Sequence, residues 1–159
     1  MADGDLSLRP LRPDEYQAWR EEEIADYARD IAENGDTPPV AALRKAHEDM
    51  ERILLGGLAT PGHAIYVLEQ SGSAVGRLWL AERLMDDRRA LFIYDIHFDP
   101  AWRGRGLGRA AMLLAEEEAR ARGIGRIELN VFGGNTVARR LYLSLGYVER
   151  AVLMAKDLG

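Results

Sequence analysis

The chain has 159 residues, 47% of them apolar and 30% charged, enough for a single domain with its own core over residues 1–159. The absence of cysteine excludes disulfides, a thiol nucleophile and a Cys-ligated metal, and His47, His63 and His97 lack metal-ligand spacing, so no metal is expected. A net charge of −5 disfavours nucleic-acid binding, no apolar run approaches a membrane span, and the first residues lack signal-peptide features, so a cytoplasmic protein is expected.

Leu6 and Leu8 alternate within residues 5–11 and predict a short first strand. Pro13, Asp14 and Glu15 open a helix whose apolar positions Tyr16, Trp19, Ile24, Tyr27 and Ile31 recur at helical spacing. Asn34 and Gly35 end it, and Glu21, Glu22 and Glu23 read as its solvated face. A second helix starts at Thr37-Pro38, with the stripe Leu43, Ala46, His47, Met50 and Leu54, and stops at Gly56-Gly57. Residues 64–70, 74–83 and 90–98 predict an antiparallel meander, with a hairpin at Ser71-Gly72-Ser73 and a charged loop over 85–89.

Residues 103–108 read Arg-Gly-Arg-Gly-Leu-Gly. A helix follows over 107–122, with the stripe Leu107, Ala110, Ala111, Leu114 and Ala121 interrupted by Glu118. Gly123 and Gly125 lead to a strand over 126–132. Gly133-Gly134-Asn135 then opens a helix with Ala138, Leu141, Tyr142 and Leu145 on one face and Gly146 just past its end. Residues 147–158 predict a last strand or a broken pair, without the glycine or proline that a tight turn needs. A shortened C-terminus of this kind is expected to leave an edge for contacts in a homodimer. The order β α α β β β α β α β predicts an α+β fold with a mixed, mostly antiparallel sheet flanked by helices.

Strand, glycine-rich turn, helix is a layout that aims free backbone N–H groups at an anion. Arg103, Arg105 and Arg109 surround the turn with cations suited to phosphate oxygens. A P-loop would need Lys and Ser/Thr after the last glycine, and none follows. The dinucleotide fingerprint G-x-G-x-x-G differs from the spacing of Gly104, Gly106 and Gly108, although Glu128 stands at a suitable distance.

Arg103, Gly106 and Gly108 match Arg/Gln-x-x-Gly-x-Gly/Ala, the acyl-CoA loop of the GNAT superfamily of N-acetyltransferases. A second block, Asn135-Thr-Val-Ala138-Arg-Arg-Leu141-Tyr142-Leu-Ser-Leu145-Gly146-Tyr147, resembles the superfamily's N-x-x-A-x-x-L-Y-x-x-L-G-F/Y segment. The resemblance implies a GNAT-type fold and acetyl-CoA as co-substrate. It implies that Arg103, Gly104, Arg105, Gly106, Leu107, Gly108 and Arg109 hold the pyrophosphate. It also implies that the backbone of Ile96, His97 and Phe98 bonds the pantetheine amides as an added strand would. Tyr142 matches the tyrosine whose hydroxyl lies near the CoA sulfur, where a phenol can donate to a thiolate. Asn135, Ala138 and Arg139 are implied to contact the cofactor. Asn135 equally suits the N-cap of its helix, and Ile96, Phe98 and Tyr142 equally suit core packing.

The general base is left open by the sequence. Asp95 and His97 alternate onto one face of their strand, His63 opens another, and Asn130 points opposite Leu129 and Val131. Asp95 ranks first, because a carboxylate both attracts an ammonium and accepts its proton. Trp19, Glu22, Glu23, Asp26 and Tyr27 offer an acidic, aromatic mouth for a cationic amine. Three functions compete: an N-acetyltransferase acting on a small amine or a protein N-terminus, a non-catalytic acyl-CoA sensor, and a nucleotide-binding protein.

Overall fold

A computed structural model describes residues 5–159. The elements are β1 (Leu6–Pro10), α1 (Tyr16–Gly35), α2 (Pro39–Ile53), β2 (His63–Gln70), β3 (Ser73–Met85), β4 (Arg88–Phe98), α3 (Leu107–Ala121), β5 (Ile127–Leu129) and α4 (Thr136–Ser144). The sheet order is β1-β2-β3-β4-β5. The first four strands pair antiparallel and β5 pairs parallel to β4, so the sheet is mixed. The parallel step needs a crossover, and α3 supplies it.

Each face of the sheet carries its own core. Trp19, Ile24, Ala28 and Ile31 of α1 and Ala42, Ala46 and Met50 of α2 pack with Ile65 and Trp79 on one face. Ala111, Met112, Ala115 and Ala119 of α3 pack with Leu68, Leu78, Leu80, Leu91 and Ile93 on the other. Strand alternation produces this division, with Trp79 facing α1 while Leu78 and Leu80 face α3. Gly76 leaves no room for a side chain between β3 and β4, because a Cβ there would lie 2.1 Å from the His97 carbonyl oxygen.

Several boundaries differ from expectation. A 3-10 turn, Pro13–Glu15, precedes α1, and the left-handed residue after α1 is Asp36, with Gly35 still helical. The loop expected over 85–89 contracts to Asp86 and Asp87, both at positive φ (48° and 59°). That is the backbone a two-residue hairpin turn requires, and aspartate tolerates it. The β3–β4 ladder therefore runs to the pair Met85 and Arg88. The last strand expected over 147–158 does not form, and no element follows α4. Gly146 (φ 91°) closes α4 as its Tyr147 neighbour donates N–H to the Tyr142 carbonyl. Beyond Tyr147 the chain is exposed, including Val148, Val152, Leu153, Met154 and Leu158. The physical reason is the shortness of β5, whose three residues offer little ladder for a further strand.

Among the described residues no helix is long and apolar enough to cross a membrane, and no cluster of His, Asp and Glu is placed to hold a metal ion.

Candidate active site

The site begins with a fault in the sheet. Trp79 pairs with Asp95 and Leu80 pairs with Ile93, so Tyr94 is an extra residue in β4. The β4–β5 ladder joins Leu91–Ile93 to Ile127–Leu129 and ends there. Past the bulge β4 continues to Phe98 with no strand on that side among the described residues. Asp95, Ile96, His97 and Phe98 thus pair with β3 alone and, on the other side, edge an opening in the sheet. Such an edge can template an extended amide chain. The side chains of Ile96 and Phe98 pack on the α3-side core. Packing and an open backbone edge coexist in the same residues.

The end of β4 enters a 3-10 turn, Pro100–Trp102, and then the glycine-rich loop. Gly104 and Gly106 have φ of 73° and 76°, which only glycine adopts at little cost, and the space beside each is open. Gly106 is the N-cap of α3 and brings no side-chain cap, so the helix's first N–H groups lack that partner. Arg103 Nε donates to the Phe98 carbonyl at 2.9 Å and ties the loop to β4. The Arg105 guanidinium lies over the Trp102 ring at 4.9 Å, and Arg109 reaches Ser144 Oγ at 3.5 Å. Leu107 is buried and anchors the turn. Gly108 lets α3 and α4 approach, since a Cβ there would lie 3.1 Å from Leu141 Cδ2. Open helix N–H groups, two positive-φ glycines and three arginines form a donor set suited to a pyrophosphate.

The second block forms α4. Asn135 Oδ1 accepts from Ala138 N at 3.2 Å, so the asparagine side chain caps the helix. Arg139 donates to the Gly133 carbonyl and to Glu149, which places its guanidinium in a local tie at the start of α4. Tyr142 is half-buried against the α3-side core, with its ring centroid 6.0 Å from that of Tyr147. Burial first, and then the charge of Asp95, raise the Tyr142 phenol above its ordinary value. It therefore stays protonated at neutral pH and can donate.

On the α1 side stands a feature absent from the sequence reading. Arg77, on β3, is buried. Its Nε donates to Glu23 Oε2 and to Asp95 Oδ2, each at 2.9 Å, and its Nη2 donates to Asp26 Oδ2 at 2.6 Å. Glu22 lies at 3.6 Å and is exposed. Glu23 does not belong to a solvated face: it is 6% exposed. Two signals were present in the sequence. Glu23 falls one turn after Trp19 and one before Tyr27 on the apolar stripe, and Arg77 shares the inward phase of Trp79. A cation and an anion on two facing apolar surfaces imply a buried pair.

Burial, and next the Asp95 charge, raise the Glu23 carboxyl well above its ordinary value, against the pull of Arg77. Burial works against ionised Asp26 too, but there the Arg77 bond and charge prevail and the carboxyl is lowered. His97 lies 3.8 Å from Asp26, and burial and then Arg77 lower its pKa, so it is neutral at pH 7. A cavity of about 220 Å³ opens beside this network, lined by Trp19, Glu22, Arg77, His97 and Asp99 among others. His63 is elsewhere: its Nδ1 accepts from Trp79 Nε1 at 3.0 Å, its ring stacks on Tyr94, and burial lowers its pKa. Asn130 is exposed just past β5. Asp95 is therefore the sequence-nominated base candidate that couples both to Tyr142 and to the α1 network.

The family model for the acetyltransferase (GNAT) family matches residues 15–147. The chain belongs to the GNAT acetyltransferase family. It is similar to YycN of Bacillus subtilis, named as an uncharacterised N-acetyltransferase, with 29% identity over 96% of this chain and 99% of that one. The crystal structure of YycN superposes with a TM-score of 0.90, covering 96% and 98% of the two chains. A predicted acetyltransferase from Clostridium acetobutylicum, solved with acetyl-CoA, shares the fold at 16% identity and a TM-score of 0.64, with 96% of each chain covered. The aminoglycoside N-acetyltransferase AAC(6')-Iy, solved with CoA, shares it at 17% identity and a TM-score of 0.62 over 100% and 99% of the chains. In this GNAT chain the glycine loop follows β4 directly, and α4, which carries the tyrosine, packs beside α3 at Gly108.

Proposed function

We propose that the protein is an acetyl-CoA-dependent N-acetyltransferase that acts on a primary amine by direct attack, without a covalent enzyme intermediate. The observation that carries the reading is that β4, which bears the Asp95 carboxylate beside its bulge, leads directly into the anion cradle, while the charge of Asp95 reaches the Tyr142 phenol. Acetyl-CoA, when bound, supplies a thioester carbonyl. Gly104, Gly106, Gly108 and the N–H groups of α3 would hold its pyrophosphate, with Arg103, Arg105 and Arg109 as counter-charges. The β4 edge at Ile96, His97 and Phe98 would bond its amides. Asn135 and Arg139 support the loop into α4, and Ala138 closes the cap.

Asp95 takes a proton from the ammonium form of the acceptor, freeing the nitrogen lone pair. Tyr94, the bulge residue without a partner on β3, would offer its backbone N–H to the negative charge that develops on the carbonyl oxygen. Tyr142 donates to the departing sulfur. The acidic α1 face suits a cationic amine, and a fold relative named for aminoglycosides puts a small amine ahead of a protein N-terminus in this reading. The test is release of free thiol from acetyl-CoA across a panel of diamines, amino sugars, amino acids and N-terminal peptides. Amine-dependent thiol release supports the reading. Acetyl-CoA binding with no transfer to any amine would make the protein a sensor.

A further inference from the structure

Arg77 presents one Nε–H to two carboxyl oxygens, Glu23 Oε2 from α1 and Asp95 Oδ2 from β4, at the same 2.9 Å. A single N–H satisfies one carboxylate well and two poorly, and two oxygens that share it lie close to each other. Carboxylates held so close do not both ionise freely, and their protons belong to the pair. The rest of the surroundings does not relieve this. Asp26 already occupies Nη2, Asp30 on α1 adds a further carboxyl, and His97 on β4 is neutral. Glu23 is buried among them, whereas Asp95 is more exposed and its charge is felt by Tyr142 on α4.

Resting on the transferase reading above, we propose that Glu23 and Asp95 act as one proton-accepting unit for the acceptor's ammonium group, with Arg77 as the residue that holds the two carboxyls together. Asp95 is the member that meets the amine, and Glu23 and Arg77 are positioning residues. A lone carboxylate is a weak proton acceptor at neutral pH. A second carboxyl fixed beside it strengthens the affinity of the unit for one proton. That proton leaves the ammonium nitrogen for the pair. The nitrogen lone pair forms the C–N bond, the C–S bond breaks with its electrons on sulfur, and the second amine proton reaches sulfur by way of Tyr142. One N–H stays on the amide, so all three ammonium protons are accounted for.

The experiment combines a carboxyl ¹³C NMR titration of the free protein with pH profiles of kcat/KM for wild type, Glu23→Gln and Glu23→Asp. In the wild type the Glu23 carbon titrates above the ordinary glutamate range, and Asp95→Asn brings it down. Glu23→Gln moves the acidic limb of kcat/KM at least about one unit lower in pH. It lowers kcat about tenfold, with KM for acetyl-CoA unchanged within about twofold, and Glu23→Asp restores the limb. A role in folding alone would lower melting temperature and kcat without moving the limb, and an unmoved limb overturns the proposal. So does a Glu23 carbon that titrates like free glutamate, whether or not the protein transfers acetyl groups. Failure of the wild type to bind acetyl-CoA removes the transferase reading, and the proposal with it.

Discussion

Tyr142 and Asp95 come from different elements, packed on opposite faces of the sheet, and sense each other through the opening beyond β5. If Tyr142 protonates the departing sulfur, Tyr142→Phe lowers kcat about 10²-fold while KM for acetyl-CoA stays unchanged, as read from thiol release under saturating amine. Glu23 carries a separate prediction for stability. Its carboxyl is raised on folding by burial and by Asp95. Such a group favours the fold below its unfolded value, near 4.5, and the advantage is lost as pH rises through the folded value. The melting temperature of Glu23→Gln therefore gains on the wild type as pH rises from that unfolded value toward the raised folded one. A constant difference across that window would show that the carboxyl does not change affinity on folding. Glu23 and Arg77 also mark where residue-level reading fell short. Their spacing placed both on inward faces, but which face meets which follows from topology, and a run of three glutamates reads as surface until Arg77 is seen opposite.

At the scale of elements, the sheet is held in register by contacts that allow no added atoms. A Cβ on Gly76 would lie 2.1 Å from the His97 carbonyl, a backbone atom that cannot swing aside. Gly76→Ala is expected to cost about 3 kcal/mol or more, seen as a lower urea midpoint, because β3 and β4 must separate. The meander, both N-terminal helices, the glycine loop and α4 were legible from periodicity and from turn residues. The extent of β3 and β4 was not, because it depends on Asp86 and Asp87 adopting left-handed backbone, which aspartate permits but does not dictate. Nor was the bulge at Tyr94 legible, since an extra residue in a strand leaves no mark on an apolar run. The C-terminal segment carries strand-forming residues, yet propensity without a paired neighbour makes no strand.

Across the whole molecule, charge is divided unevenly. The chain carries a net −5, with Glu22, Asp26 and Asp30 on the α1 side, whereas Arg103, Arg105 and Arg109 gather at the start of α3. A polyanionic ligand is then drawn toward the arginines at the start of α3 and away from the acidic α1 side. The affinity for acetyl-CoA should weaken severalfold when salt rises from about 0.05 M to about 0.5 M, as screening shortens the reach of the arginines. A Kd that ignores salt would place the phosphates away from this loop. The measurement that reaches the central claim most directly is calorimetric titration of acetyl-CoA into the wild type and into Gly106→Trp, with folding checked by circular dichroism. Micromolar binding by the wild type, abolished in a folded Gly106→Trp, is the predicted result. No heat of binding in the wild type, or equal binding by the variant, would contradict the cradle and the transferase built upon it.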